Sequence, residues 1–183
     1  MLPLVMVKIT IREALPGDRA TIAALIVQCY QDVAFSNHRE HLMVARLQAS
    51  SAYIGQLSLV AEIDGVMAGH VMMTRIAIKD PAGDRAALSL APLSVSPVFQ
   101  RQGVGSALVE AAHARARALG FGAVILVGIS GYYARFGYVP LDEYPISLPF
   151  DVAPANRMAI ALSPHGLDGV RGMVEYAPEW MEK

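Results

Sequence analysis

Gln100-Arg101-Gln102-Gly103-Val104-Gly105-Ser106 follows an apolar, strand-like run, Leu88 to Val95, and opens a helical pattern, Ser106 to Leu119, closed by Gly120. Glycines at 103 and 105 remove the side chains that would hold a ligand off the backbone. The N–H groups of a helix's first turn lack partners and lie beside the positive end of its dipole. The stretch therefore reads as a turn that binds a pyrophosphate through backbone groups. The side chains of Arg101 and Gln102 either add charge and hydrogen bonds to the phosphates or stand as solvated surface. Strand, turn, helix and the next apolar run, Ala123 to Gly128, form a right-handed crossover between parallel strands.

Three phosphate-binding turns are distinguishable. A triphosphate loop ends in Gly-Lys-Ser/Thr, and no Lys follows these glycines. A dinucleotide fingerprint needs a small residue where Leu108 stands and an acid at the end of the next strand, but Ala123 to Ser130 contains none. What remains is Gln-x-x-Gly-x-Gly after a strand. Ahead of it lies the apolar-x-Val triplet Leu93-Ser94-Val95, and beyond it Tyr133-Ala134-Arg135-Phe136-Gly137-Tyr138, of the form Tyr-x-x-x-Gly-Phe/Tyr. In order and spacing these three motifs resemble the GNAT superfamily of N-acetyltransferases. With Tyr132 and the later Gly172-Met173-Val174-Glu175-Tyr176 the chain is similar to a branch of bacterial predicted acetyltransferases. The resemblance spans roughly residues 9 to 177.

The resemblance implies an α/β fold: a mixed, twisted central sheet with flanking helices, whose strands Leu88–Val95 and Ala123–Gly128 diverge into a V. The donor it implies is acetyl-CoA. Its pantetheine arm lies in the V along Leu93, Ser94 and Val95, its pyrophosphate on Arg101, Gln102, Gly103, Val104, Gly105 and Ser106, with Tyr133 alongside. Pro92 fits that picture, since a missing ladder donor belongs at an edge or a bulge, and a bulge splays the sheet. Acetyl transfer needs a neutral amine, a polarised carbonyl and a proton for the departing thiolate. The backbone N–H of Leu93 is the candidate for polarisation. By match to the family's tyrosine, Tyr133 is the candidate acid, or else a core aromatic that anchors its helix. The strand carboxylate that many members use is missing, leaving only Ser89 and Ser94 there. A remote base would come from Glu62, His70, Glu40, His38 or His41. The function implied is acetyl-CoA-dependent N-acetyl transfer to a small-molecule or peptide amine. The missing carboxylate keeps an alternative open, a non-catalytic coenzyme A-binding sensor or partner module.

Composition narrows the class. A chain of 183 residues, 54% hydrophobic, is long enough to bury one core and is read as one domain, 1–183. No apolar run reaches membrane-spanning length, so no membrane partner is expected. The amino-terminal Met1 to Val7 lacks the basic start and cleavage pattern of a secretory signal, and Met6 is an alternative start. The single cysteine, Cys29, suits a reducing cytoplasm. A net charge of −1 without a Lys/Arg cluster argues against nucleic acid as partner. The apolar content is compatible with a homodimer. Scattered histidines give no metal-ligand spacing, so no metal is expected.

Elsewhere, Ile9 to Arg12 alternates as a strand, and Pro16-Gly17-Asp18 offers a turn with Asp18 as the cap of a helix striped by Ile22, Leu25, Ile26 and Cys29. A loop over 31–38 and a second helix over about 39–49 follow. Asp64-Gly65 signals a hairpin between strands 57–63 and 67–78. Segments 158–162 and 172–176 are expected to pair antiparallel at the carboxyl end.

Overall fold

The computed structural model describes residues 8–34 and 36–181. The amino-terminal stretch weighed above as a signal or alternative start, Met1 to Val7, lies outside them. Strand β1 (Ile9–Glu13) leads through a 3-10 turn into helix α1 (Arg19–Tyr30), and α2 (Glu40–Gln48) follows. Strands β2 (Tyr53–Ile63) and β3 (Val66–Lys79) form the expected hairpin, and Asp64 and Gly65 both take positive φ, 49° and 78°. Two left-handed residues give the turn a twist matching that of the strands it joins. Then come β4 (Arg85–Val95), α3 (Val104–Ala118), β5 (Ala123–Val127), α4 (Ser130–Tyr133), β6 (Val139–Pro140), β7 (Ile146–Ser147), β8 (Arg157–Ala161), β9 (Gly172–Glu175) and α5 (Pro178–Met181).

The sheet runs β1-β2-β3-β4-β5-β8-β6, with β9 pairing β3 and β7. The β4 and β5 strands are parallel, as the crossover requires, and β7 with β9 is a second parallel pair. Both carboxyl-terminal segments pair antiparallel, but with different neighbours: β8 with β5 and β6, and β9 with β3. Helix α3 covers one face, packing Val104, Leu108 and Ala112 on Leu59, Val71 and Leu90. Helices α1 and α2 cover the other, with Ile26 and Leu47 against Val60 and Met72.

Two local expectations are corrected. Helix α3 begins at Val104, so the last residues of the glycine turn are already its first turn, and Gly103 precedes it with φ 87°. Asp18 makes no side-chain cap on α1. Its carboxylate accepts instead from the Leu15 N–H at 2.7 Å and from Arg12 at 2.7 Å. A guanidinium offers a stronger, charge-assisted partner than a helix amide, and it holds the Asp18 carboxyl below its ordinary range.

The bulge anticipated at Pro92 is present. Val71 faces Leu93 and Met73 faces Leu90, so β4 spends one residue more than β3 across Ala91 and Pro92. An extra residue switches the side-chain alternation. Leu88 and Leu90 before it, and Leu93 and Val95 after it, consequently all pack towards the α3 core. Beyond the bulge, β4 has left β5: only Leu88↔Val124 and Ser89↔Ile125 are in register. The two strands open into the V.

Candidate functional site

Along the V, one edge of β4 is spoken for. The Ser96 N–H donates to the Ala68 carbonyl, so by alternation the backbone groups of Ser94 and Ser96 point to β3, and those of Leu93 and Val95 point into the gap. Their carbonyls are contacted there: Cys29 Sγ donates to Val95 at 3.2 Å, Gln100 Nε2 to Val95 at 3.1 Å, and the Tyr30 hydroxyl lies 3.5 Å from the Leu93 oxygen. By the same alternation the N–H groups of Leu93 and Val95 face the gap rather than β3, and no β5 residue is in register with them. Ser94 turns its side chain to the α1/α2 side, buried, with Oγ unpartnered. It can contribute to the V only through its place in the strand.

The glycine turn stands at the open end of the V. No backbone acceptor meets the N–H groups of Arg101 to Ser106 among the described residues, while the Ala107 N–H already bonds Gly103. This is the open donor array that an anionic ligand needs. Arg101, Gln102 and Gly103 are exposed, Val104 is buried in the α3 core, and Gly105 and Ser106 are half-buried. The Gln102 amide is committed to the Val98 carbonyl at 3.0 Å and braces the turn. The Arg101 guanidinium is exposed, on a residue with φ 59°. Gln100 ties the turn back to β4 through Val95.

Tyr133 closes the other side. Its ring rests on Gly128 at the end of β5, where an added Cβ would lie 2.5 Å from Cε2. Tyr132 and Tyr138 pack edge-on against it, with centroids 5.1 Å and 5.6 Å away. Burial pushes the Tyr133 phenol well above its ordinary pKa, with Tyr30 and Tyr132 adding to the rise. The phenol keeps its proton at neutral pH, as an acid must. Two contacts here were not foreseen from the sequence. Tyr132 lays its hydroxyl over Gly105, where a Cβ would collide with it, and Tyr30 reaches the Leu93 carbonyl from α1. Neither contact has a local sequence signal, because each joins elements far apart in the chain.

The five candidate bases separate clearly. Glu62 is ion-paired to Arg12 at 2.7 Å. His70 is wholly buried on β3, with Nε2 3.1 Å from Ser58 Oγ, and burial holds its pKa down to about 4. His38 Nδ1 meets the Tyr30 carbonyl at 2.9 Å. His41 lines a separate, smaller cavity between α1 and α2. Glu40 alone joins the bulge in one cavity, of about 370 Å³, with Pro92 of β4, Val127 of β5 and Tyr30 in its wall. Of the two serines on β4, Ser89 is engaged by the Tyr176 hydroxyl. Among the described residues no group of His, Cys, Asp or Glu is arranged to hold a metal, and no helix is long and apolar enough to cross a membrane.

A sheet splayed at a bulge, with an open donor turn at the mouth of the split, defines an α/β protein whose central sheet carries a groove between two parallel strands. Residues 21–138 match the acetyltransferase (GNAT) family, and the chain belongs to that family. It is 34% identical over 119 residues to the uncharacterized N-acetyltransferase YjhQ of Escherichia coli, covering 63% of this chain and 66% of that protein. The crystal structure of YhbS from Escherichia coli in complex with CoA superposes with TM-score 0.85 at 25% identity, over 96% of this chain and 93% of that one. A GNAT family acetyltransferase from Brucella melitensis, in complex with acetyl-CoA, gives 0.77 at 31% identity, over 94% and 98%.

Proposed function

We propose that this chain is an N-acetyltransferase that moves an acetyl group from acetyl-CoA to a primary amine of a small molecule or peptide by direct attack on the thioester. One observation carries the reading: the V between β4 and β5 has the N–H groups of Leu93 and Val95 facing it along one side and leads straight to the open turn 101–106. These donors fit a pantetheine arm and a pyrophosphate. The YhbS and Brucella structures, bound to CoA and acetyl-CoA, support it.

Bound there, acetyl-CoA supplies the activated acyl group. The Leu93 N–H polarises the acyl oxygen, a donor fixed in place before charge develops. Tyr133 gives its proton to the departing sulfur and recovers one from the nitrogen, which sheds a proton as the C–N bond forms and the C–S bond breaks. Leu93, Ser94 and Val95, Arg101 to Ser106, and Tyr133 make up the proposed donor site. The domain is taken as a single unit centred on residues 9–177, working in the cytoplasm without a metal.

A second reading, a coenzyme A-binding module without turnover, is favoured by one feature: Ser89 and Ser94 stand where a carboxylate would, and Tyr176 engages Ser89. Continuous thiol release from acetyl-CoA against polyamines, amino acids, aminoglycosides and peptides separates the two. Release with one acceptor class is expected. Silence across the panel, with acetyl-CoA still raising the melting temperature, would favour the binding module. Gly105→Asp, which sets a carboxylate among the phosphate donors, is expected to abolish acetyl-CoA binding, and unchanged affinity would overturn the turn's assignment.

A further inference from the structure

The cavity on the α1/α2 side of the bulge holds polar groups that the fold leaves unanswered. Glu40 uses one carboxylate oxygen on Ser36 Oγ, and its Oε2 is buried with no partner. Trp180 Nε1 is likewise buried without an acceptor; the Arg39 guanidinium, on an exposed residue at the rim, has no protein partner among the described residues. All three line the same cavity. Arg46 also lines it but donates to the Glu179 carbonyl at 3.2 Å. Buried polar groups are seldom left unpaired, and an unpaired carboxylate is the costliest to leave so. One anionic acceptor and two donors, one of them cationic, call for a ligand carrying a positive and a negative group together. Apart from Asn37 and Tyr30, the rest of the wall is apolar, with Met43, Pro92 and Phe150 its largest pieces.

We propose that this cavity is the acceptor subsite and that it takes an amino acid with a large apolar side chain, its ammonium on Glu40 and its carboxylate on Arg39 and Trp180 Nε1. That occupant would satisfy both buried orphans, Glu40 Oε2 and Trp180 Nε1, pair with Arg39, and lay its side chain on the apolar wall. The ammonium would stand near Pro92 and Val127, at the split between β4 and β5, and would pass one proton to the Glu40 carboxylate before its nitrogen attacks. The identification of this ligand as the group acetylated rests on the acetyltransferase reading; its binding does not.

Trp180 is the only tryptophan of the chain, so its fluorescence reports the cavity directly. The full chain is titrated with L-phenylalanine, with phenethylamine, which lacks the carboxylate, and with 3-phenylpropionate, which lacks the amine, each with and without CoA. L-phenylalanine is expected to bind at least tenfold more tightly than either fragment. Glu40→Gln should weaken L-phenylalanine and phenethylamine tenfold or more and leave 3-phenylpropionate unchanged; Arg39→Gln should weaken L-phenylalanine and 3-phenylpropionate but not phenethylamine. Equal affinities for the three probes, no response to L-phenylalanine under either condition, or L-phenylalanine binding untouched by Glu40→Gln would each overturn the proposal. Thiol release with some other amine, together with any of those results, would leave the acetyltransferase reading standing. Tight L-phenylalanine binding without thiol release would do the reverse.

Discussion

Replacing Gly128 by Ala tests whether the position of Tyr133 matters to the chemistry. Gly128 does not adopt a positive φ, so alanine is acceptable to the backbone and only space is at issue. The new Cβ would lie 2.5 Å from Tyr133 Cε2, 3.0 Å from Cδ2 and 3.2 Å from Leu126 Cδ1. Ordinary carbon contacts begin near 3.5 Å, so the ring must retreat by about 1 Å. Tyr132, Phe136 and Tyr138 surround it at centroid distances of 5.1, 6.5 and 5.6 Å, so the movement propagates through packed aromatic neighbours. Overpacking of this kind costs about 1–3 kcal/mol, which in a chain of this size lowers Tm by roughly 2–10 °C. A misplacement of about 1 Å in a reacting group costs on the order of 100-fold in rate. Thiol release and thermal melting with and without acetyl-CoA measure both effects. Gly131→Ala is the control, since its Cβ meets nothing within 4 Å and both readouts should stay unchanged. A Gly128→Ala protein with wild-type turnover would refute the claim that the ring is held in register with the thioester. An equal loss in Gly131→Ala would assign the effect to the segment rather than the ring.

Tyr133→Phe is expected to lower turnover by about 10²-fold or more, the ordinary worth of a positioned proton donor, with acetyl-CoA affinity within a few-fold by calorimetry. His70 and His113 are both held by burial at a pKa of about 4, against an ordinary 6.5. The unfolded chain therefore takes up protons that the native one refuses between pH 6.5 and 4. Stability is full above pH 6.5 and falls as pH drops through that window, by up to about 1.4 kcal/mol per pH unit for each histidine. Urea unfolding should show that slope, and His113→Gln should roughly halve it. A flat profile would contradict the burial of both rings. Burial raises the Cys29 thiol from 9.0 to about 11, so at pH 8 a thiol reagent should label it roughly 100-fold more slowly than in the unfolded chain; equal rates would show that the thiol is not held against Val95.

The turn, the bulge and the split that frame the proposed cofactor side were largely legible in the sequence, because each is a local feature. The turn 100–106 announces itself by two glycines between a strand and a helix, and the hairpin by Asp64-Gly65. Pro92 marked the bulge, and a second signal was there too: Leu88 and Leu90 are even-numbered, Leu93 and Val95 odd, and all four can share a face only if one residue is inserted between them. The cavity side was not legible. Glu40 was one of five candidates, and nothing near it in the chain says that α2 lays it beside Pro92, some fifty residues on. Asp18 looked like a helix cap until Arg12 came within reach through the sheet. Tyr132 and Gly105 meet only because α4 folds back across the turn, a matter of tertiary geometry with no periodic trace.

The split in the sheet has a mechanical meaning. Between β4 and β5, where a continuous sheet would carry a full ladder, only two pairs of residues are in register, so β1–β4 and β5–β8–β6 are leaves joined by a short spine. A ligand lying in the opening and accepting from Leu93 and Val95 would supply the missing rungs. Its affinity and the stiffness between the leaves would then be one quantity, and amide exchange across β5 and β8 should slow in proportion to how tightly that ligand is held.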